Sequence, residues 1–98
     1  MMNIESIINT LKSHLPFLQK QFHVEEIGLF GSFTKQEHDE KSDIDILVVL
    51  QDEYNDLFNF IRLKNYLEEI FHRDVDLVLK EGIKPRIKEK ILKEVIYV

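Results

Sequence analysis

The chain contains no cysteine and no tryptophan, and only three glycines and two prolines among its 98 residues. The lack of cysteine excludes disulfide bonds and thiolate metal sites, and it agrees with a reducing cytoplasm. No apolar run approaches the roughly 18 residues that a membrane-spanning helix needs, and the N-terminal residues lack a signal-peptide pattern. We therefore expect a soluble, cytoplasmic protein that does not bind membranes.

Positive charge is also scarce. Thirteen Lys and Arg residues stand against eighteen Asp and Glu residues, which gives a formal net charge of −5, so direct binding to nucleic acid is disfavoured. What the sequence does have is a hydrophobic fraction of 44%, including seven Phe residues, which is enough for a core. The length predicts one domain that spans residues 1–98.

The pattern of apolar residues predicts alternating helices and strands. Apolar residues at intervals of three and four predict helices over residues 3–21, 55–71 and 84–93. Apolar runs predict strands over residues 24–30, 43–51 and 74–79, with a short edge strand over 95–98. Because Pro16 lacks an N–H, we expect the first helix to kink or restart there. This order of elements predicts an α/β (α+β) fold with a small sheet flanked by helices.

Two acidic residues open the second predicted strand. Alternation places Asp43 and Asp45 on one face, roughly 6 to 7 Å apart, in a kind of segment where Asp is uncommon. Two such charges repel and raise a pKa unless a cation lies between them. Because Mg²⁺ is held by one or two carboxylates together with substrate phosphates, we predict a magnesium site here, with the Gly31-Ser32 turn facing the phosphates. A polar strand entrance facing water is the alternative.

These residues carry a resemblance to a known family. Gly31-Ser32, ten further residues and then Asp43-Ile44-Asp45 resemble the signature of the polymerase-beta-type nucleotidyltransferase superfamily. The small size and the sequence SDIDILVVL resemble its minimal (MNT) branch, and Val75-Asp76-Leu77-Val78 is similar to the strand that supplies the family's third carboxylate. The resemblance implies a polymerase-beta-like fold with a mixed sheet, ATP as the substrate and two Mg²⁺ ions.

The resemblance also assigns roles to residues of this chain. It implies that Asp43, Asp45 and Asp76 hold the metal, that Asp76 polarises the attacking hydroxyl, and that Gly31 and Ser32 hold the phosphates. Asp74 shares the strand face of Asp76 and is the rival third acid.

The chain departs from the family at one basic position. Many relatives read G-S-x-A-R-G, and this chain has Lys35 in place of the Arg and Phe33 at the third position. Lys35 supplies a point charge to a phosphate but not the bidentate fork of Arg. A solvated surface lysine is an equally good interpretation of Lys35.

The resemblance implies a function and a partner. MNT proteins are commonly antitoxins that transfer AMP from ATP to a tyrosine hydroxyl of a HEPN-domain RNase toxin. Because 98 residues leave no room for an acceptor-binding domain, a second chain is implied, and a homo- or hetero-oligomer is compatible with this. Two alternatives stay open: a catalytically weak antitoxin that neutralises its partner by stoichiometric contact, and the catalytic subunit of a small-molecule nucleotidyltransferase.

Overall fold

The computed structural model describes residues 3–34 and 42–98. Within these ranges the chain forms three α-helices and four strands: α1 Ile4–Phe22, β1 Val24–Phe30, β2 Ile44–Leu50, α2 Leu57–Phe71, β3 Val75–Leu79, α3 Pro85–Glu94 and β4 Ile96–Tyr97. Short 3₁₀ turns occur at Gly31–Phe33, Asp52–Tyr54 and Lys80–Gly82. The predicted order of helices and strands is confirmed, with ends displaced by at most two residues.

The four strands form one mixed sheet in the order β3-β2-β1-β4. Strand β1 is antiparallel to both β2 and β4, whereas β2 and β3 are parallel. Strand β2 therefore lies in the interior of the sheet with both faces covered, which explains why its Ile46–Leu50 segment is apolar at every position. The mixed sheet implied by the resemblance is confirmed.

Helices cover both faces of the sheet. Helices α1 and α2 pack on one face, where the larger core includes Ile7, Leu11, Leu29, Ile46 and Leu63. On the other face Phe30, Leu47 and Ile83 form a smaller cluster. Packed against this cluster are Ile91 and Leu92 of α3 and Val95, which follows the helix. The alternation of Ile46 and Leu47 between the two clusters is the period of two expected of a strand.

The predicted break of helix α1 at Pro16 was wrong. Its start is fixed by a capping box, in which Ser6 N–H donates to Asn3 Oδ1 at 2.8 Å and Asn3 N–H donates to Ser6 Oγ at 3.0 Å. The helix then continues through Pro16 without interruption. Pro16 is exposed, while Leu11 and Leu18 on either side are fully buried, so packing on both sides outweighs the one backbone hydrogen bond that proline removes.

Helix α2 brings the chain back to the start of β3. Its N-cap is Asp56, whose side chain accepts from Asn59 N–H at 2.8 Å. Its C-cap is His72, which adopts the left-handed conformation with φ 53°. The turn after His72 places Arg73 and Asp74 beside the N-terminal end of β2, because Ile44 N–H donates to Asp74 O at 3.0 Å.

Candidate active site

Acidic side chains from two adjacent strands meet at one end of the sheet. In the parallel register of β2 and β3, Asp45 is paired with Asp76, and Ile44 with Val75. Asp45 is partly buried, Asp76 is exposed, and Asp43 lies exposed immediately before β2. The structure thus brings Asp45 and Asp76 together and places Asp43 at the rim of the same end.

Asp45 is the electrostatic centre of this group. Burial, together with the charges of Asp76 and Asp43 and a hydrogen bond with the Asp76 side chain, raises the pKa of Asp45 from 3.8 to about 6. The backbone N–H of Ser32 donates to the Asp45 carboxylate and opposes this shift, because it favours the ionised form. Asp45 therefore stands close to a second carboxylate in a site where negative charge is poorly tolerated.

Gly31 is in contact with the same carboxylate. Its φ is +79°, a backbone conformation that residues other than glycine rarely adopt. A Cβ at this position would also overlap Asp45 Oδ2. The two parts of the motif, Gly31-Ser32 and Asp43-Ile44-Asp45, are thus in direct contact in the fold, because Phe30 pairs with Asp45 across β1 and β2. Both the backbone and the available space at residue 31 require glycine.

A 3₁₀ turn of three residues begins at Gly31 and spans Gly31–Phe33. It is closed by Thr34, whose N–H and Oγ1 donate to Gly31 O at 3.1 and 2.7 Å. Phe33, at the third position of the Gly-Ser motif, is fully buried. Its side chain packs in the core and anchors the turn there. The sequence indicates only that Phe33 carries no charge and does not predict this role.

The other residues named from the sequence have separate outcomes. Lys35 lies outside the described residues. Asp74 is exposed, and its carbonyl accepts from Ile44 N–H. It is thus Asp76, and not Asp74, that is paired with Asp45.

Sequence reasoning missed Arg73. It contacts both Phe33 and Ser42 next to the acids, and no local pattern indicates a contact with residues so distant in sequence.

The donor set suits a hard divalent cation. The acidic side chains described at the site supply carboxylate oxygens, which is the ligand chemistry of Mg²⁺, and a cation would offset the burial and the repulsion that raise the pKa of Asp45. Within residues 3–34 and 42–98, no three His, Asp or Glu side chains already converge closely enough to hold one ion. Asp45 is hydrogen-bonded to Asp76, and the charge of Asp43 also acts on Asp45, but these three described residues do not form such a group.

A small mixed sheet with acids on neighbouring strands, beside a Gly-Ser turn, defines a domain of the nucleotidyltransferase type. Comparison with known proteins agrees: residues 9–98 match the model of the nucleotidyltransferase domain family. The chain belongs to this family and is a nucleotidyltransferase. No helix in the described part of the chain is long and apolar enough to cross a bilayer.

Individual relatives match over nearly the whole chain. The chain is 43% identical over 98 residues to the protein adenylyltransferase MntA of Thermococcus cleftensis, covering all of this chain and 98% of that protein. It is similar to a solved structure described as a minimal nucleotidyltransferase, with a TM-score of 0.83, 30% identity and coverage of 97% and 95%. It also resembles the structure of a tri-AMPylated HEPN toxin in complex with an MNT antitoxin from Shewanella oneidensis, with a TM-score of 0.58, 25% identity and coverage of 95% and 66%.

Proposed function

We propose that this nucleotidyltransferase transfers AMP from ATP to a tyrosine hydroxyl of a HEPN-domain toxin and thereby acts as its antitoxin. The observation that carries the proposal is the pairing of Asp45 with Asp76 next to a Gly31-Ser32 turn that contacts Asp45. The adenylyltransferase activity in the name of the Thermococcus relative and the AMPylated toxin of the Shewanella complex supply the transferred group and the class of partner.

In this proposal Asp43, Asp45 and Asp76 hold Mg²⁺, as one or two ions, through their carboxylate oxygens. The cation, when bound, neutralises the triphosphate and orients its α-phosphate. Gly31 and Ser32 bind the phosphates at the turn, and Lys35 adds a positive charge to them. The Ser32 N–H donates to the Asp45 carboxylate, which places a donor of the turn beside the residues that would hold the cation.

The proposed reaction is an in-line substitution at the α-phosphorus. The tyrosine oxygen forms a bond to that phosphorus, the bond to the bridging oxygen of the β-phosphate breaks, and pyrophosphate leaves with the electron pair. Asp76 is exposed and thus accessible to a partner chain, and it accepts the proton of the attacking hydroxyl. The chain needs no acceptor pocket of its own, since the partner protein presents the hydroxyl.

The test is an intact-mass measurement on the partner. The purified chain is incubated with ATP, Mg²⁺ and the HEPN-domain product of the neighbouring gene, and a mass gain of one or more adenylyl groups is expected. Tyrosine-to-phenylalanine variants of the partner locate the acceptor. A wild-type chain that adds no adenylyl group to this partner would contradict the proposal.

A second candidate is neutralisation of the partner by stoichiometric contact. It is favoured by the large apolar side chains exposed on the outer face of α2, where Leu57 and Phe58 are 73% and 78% exposed, because such surfaces are typical of protein interfaces. The double variant Asp43→Asn, Asp45→Asn separates the two candidates. Loss of toxin silencing with retained binding indicates catalysis, whereas silencing that survives in this variant indicates contact alone.

A further inference from the structure

Arg73 joins two segments of the candidate site that are distant in sequence. Its Nη1 donates to Ser42 O at 3.2 Å, and its guanidinium carbon lies 5.4 Å from the centroid of the Phe33 ring. Phe33 directly follows Ser32, and Ser42 directly precedes Asp43. The Arg73 guanidinium thus contacts the turn on one side and the residue before Asp43 on the other.

Both contacts bear on the placement of Asp43. Asp43 lies outside β2, so strand pairing does not fix it directly. Its two neighbours are held instead, because Ile44 N–H donates to Asp74 O and Ser42 O accepts from Arg73. The other support of Arg73 is rigid, since Phe33 is fully buried. The Arg73 guanidinium therefore joins the turn to the residue before Asp43, in addition to the strand pairing of Phe30 with Asp45.

We propose that Arg73 is a positioning residue, which sets the Gly31-Ser32 turn and Asp43 at the separation that a magnesium–triphosphate complex requires. The nature of this ligand rests on the function proposed above, whereas the positioning itself is a property of the ligand-free chain. Arginine suits the role because a planar guanidinium can lie over an aromatic ring and donate in its own plane. A lysine ammonium can make either contact but not both in this geometry.

The chain supplies a matched control. The guanidinium of Arg62 on α2 also lies over a phenylalanine ring, at 5.4 Å from the centroid of Phe22. Phe22 lies before the start of β1 and Phe33 lies after its end. The two arginine–phenylalanine pairs are therefore at opposite ends of this strand. Variants of Arg62 therefore report the general cost of losing such a pair, and variants of Arg73 report that cost together with any effect on the site.

The first experiment measures amide hydrogen exchange in the ligand-free chain at the hydrogen-bonded amides of Ser32, Thr34 and Ile44. Arg73→Met is expected to speed exchange at these amides by roughly tenfold or more, because a charged hydrogen bond and a ring contact are lost. Arg73→Lys restores part of the protection. Arg62→Met leaves the three amides unchanged. Unaltered exchange in Arg73→Met, or an equal change in Arg62→Met, would overturn the positioning role.

The second experiment measures AMP transfer to the partner as a function of Mg²⁺ concentration. Misplacement of one ligand is expected to raise the half-saturating Mg²⁺ concentration of Arg73→Lys on the order of tenfold or more, with a smaller loss of kcat at saturating Mg²⁺. A general loss of stability would instead lower kcat alone. If the wild-type chain transfers no AMP, the proposed function fails, and the exchange data still decide the role of Arg73. If transfer and exchange are both unaffected in Arg73→Lys and Arg73→Met, only the positioning role fails.

Discussion

Asp45 connects the parts of the candidate site more than any other single residue described. Its carboxylate contacts Gly31, accepts from the Ser32 N–H and forms a hydrogen bond with Asp76. The turn and the acids are therefore one unit, in which the identity of residue 31 and the ionisation of residue 45 depend on each other.

The first prediction concerns the pH dependence of stability in the metal-free chain. The folded-state pKa of Asp45, about 6, lies above its ordinary value of 3.8. A raised acid pKa contributes stability that is fully present below the unfolded-state pKa and is lost as the pH rises through the folded-state pKa. From pH 4 to pH 7, the wild type should therefore lose free energy of unfolding relative to Asp45→Asn, which cannot ionise.

Urea unfolding with a chelator present, at several pH values, measures this difference. Other carboxylates titrate in both proteins, so the comparison with Asp45→Asn isolates residue 45. Saturating Mg²⁺ at pH 7.5 should stabilise the wild type more than the variant, because it binds the folded state. Parallel pH profiles for the two proteins would show that Asp45 has an ordinary pKa.

The second prediction concerns Gly31→Ala. The new methyl group would overlap Asp45 Oδ2 in a backbone conformation that alanine rarely adopts. We expect a loss of about 1–3 kcal/mol in the free energy of unfolding, together with loss of nucleotide binding. Gly82→Ala is the control, since its Cβ meets nothing closer than Leu79 Cβ at 3.9 Å. A Gly31→Ala variant as stable and as active as Gly82→Ala would exclude the close contact between the turn and Asp45.

At the scale of whole elements, the C-terminal segment depends on a glycine in β1. A Cβ on Gly28 would meet Val95 Cγ1 at 2.5 Å and Ile96 O at 3.1 Å. Strand β4 pairs with β1 at Gly28 and Leu29, so the lack of a side chain at residue 28 lets the segment after α3 lie flat on the sheet. Lys80 supports the same edge, because its ammonium lies 5.3 Å from the centroid of the Tyr97 ring and 3.2 Å from Glu26 Oε1.

We predict that Gly28→Ala destabilises the chain by displacing this segment. Backbone and side-chain atoms of Val95 and Ile96 must move, and overpacking of this kind typically costs about 1–3 kcal/mol. Thermal unfolding of Gly28→Ala against Gly82→Ala measures the effect, and faster amide exchange at Val98, whose N–H donates to Ile27 O at 3.0 Å, localises it. Equal melting temperatures for the two variants would show that the segment adapts without cost.

Helix α1 offers an opposite prediction. Pro16 is exposed within a continuous helix and withholds one backbone N–H. Pro16→Ala should therefore stabilise the chain by about 1–2 kcal/mol, which is less than the full proline penalty because alanine also frees the unfolded chain. Chemical unfolding measures the gain. A destabilised Pro16→Ala variant would mean that the proline supports a bend on which the packing of α1 depends.

At the scale of the whole molecule, much of the fold could be predicted from local patterns. Residue type and period are enough to predict the order of helices and strands along the chain and the covered central strand β2. They also predict the helix caps at Asn3 and Asp56. The order β3-β2-β1-β4 could not be obtained in this way, because strand neighbours are decided by contacts between distant residues. The break expected at Pro16 was wrong for a related reason, since tertiary packing of α1 outweighs a local preference.

The candidate site was predictable in part. Spacing indicated that Asp43 and Asp45 share a site with the Gly31-Ser32 turn, and the family resemblance added Asp76. The register of β2 and β3 pairs Asp45 with Asp76. Spacing could not indicate that Phe33 is an anchor or that Arg73 reaches Ser42, because both facts depend on packing between segments some 30 to 40 residues apart.

The central claim is that acids on β2 and β3 hold a divalent cation against a nucleoside triphosphate at the Gly31-Ser32 turn. Isothermal titration calorimetry of the wild type and of Asp45→Asn, with a non-hydrolysable ATP analogue, in the presence of Mg²⁺ or of a chelator, tests it most directly. The wild type should bind the analogue only with Mg²⁺, and Asp45→Asn should lose this binding. Equal affinity with and without Mg²⁺, or full affinity in Asp45→Asn, would contradict the claim.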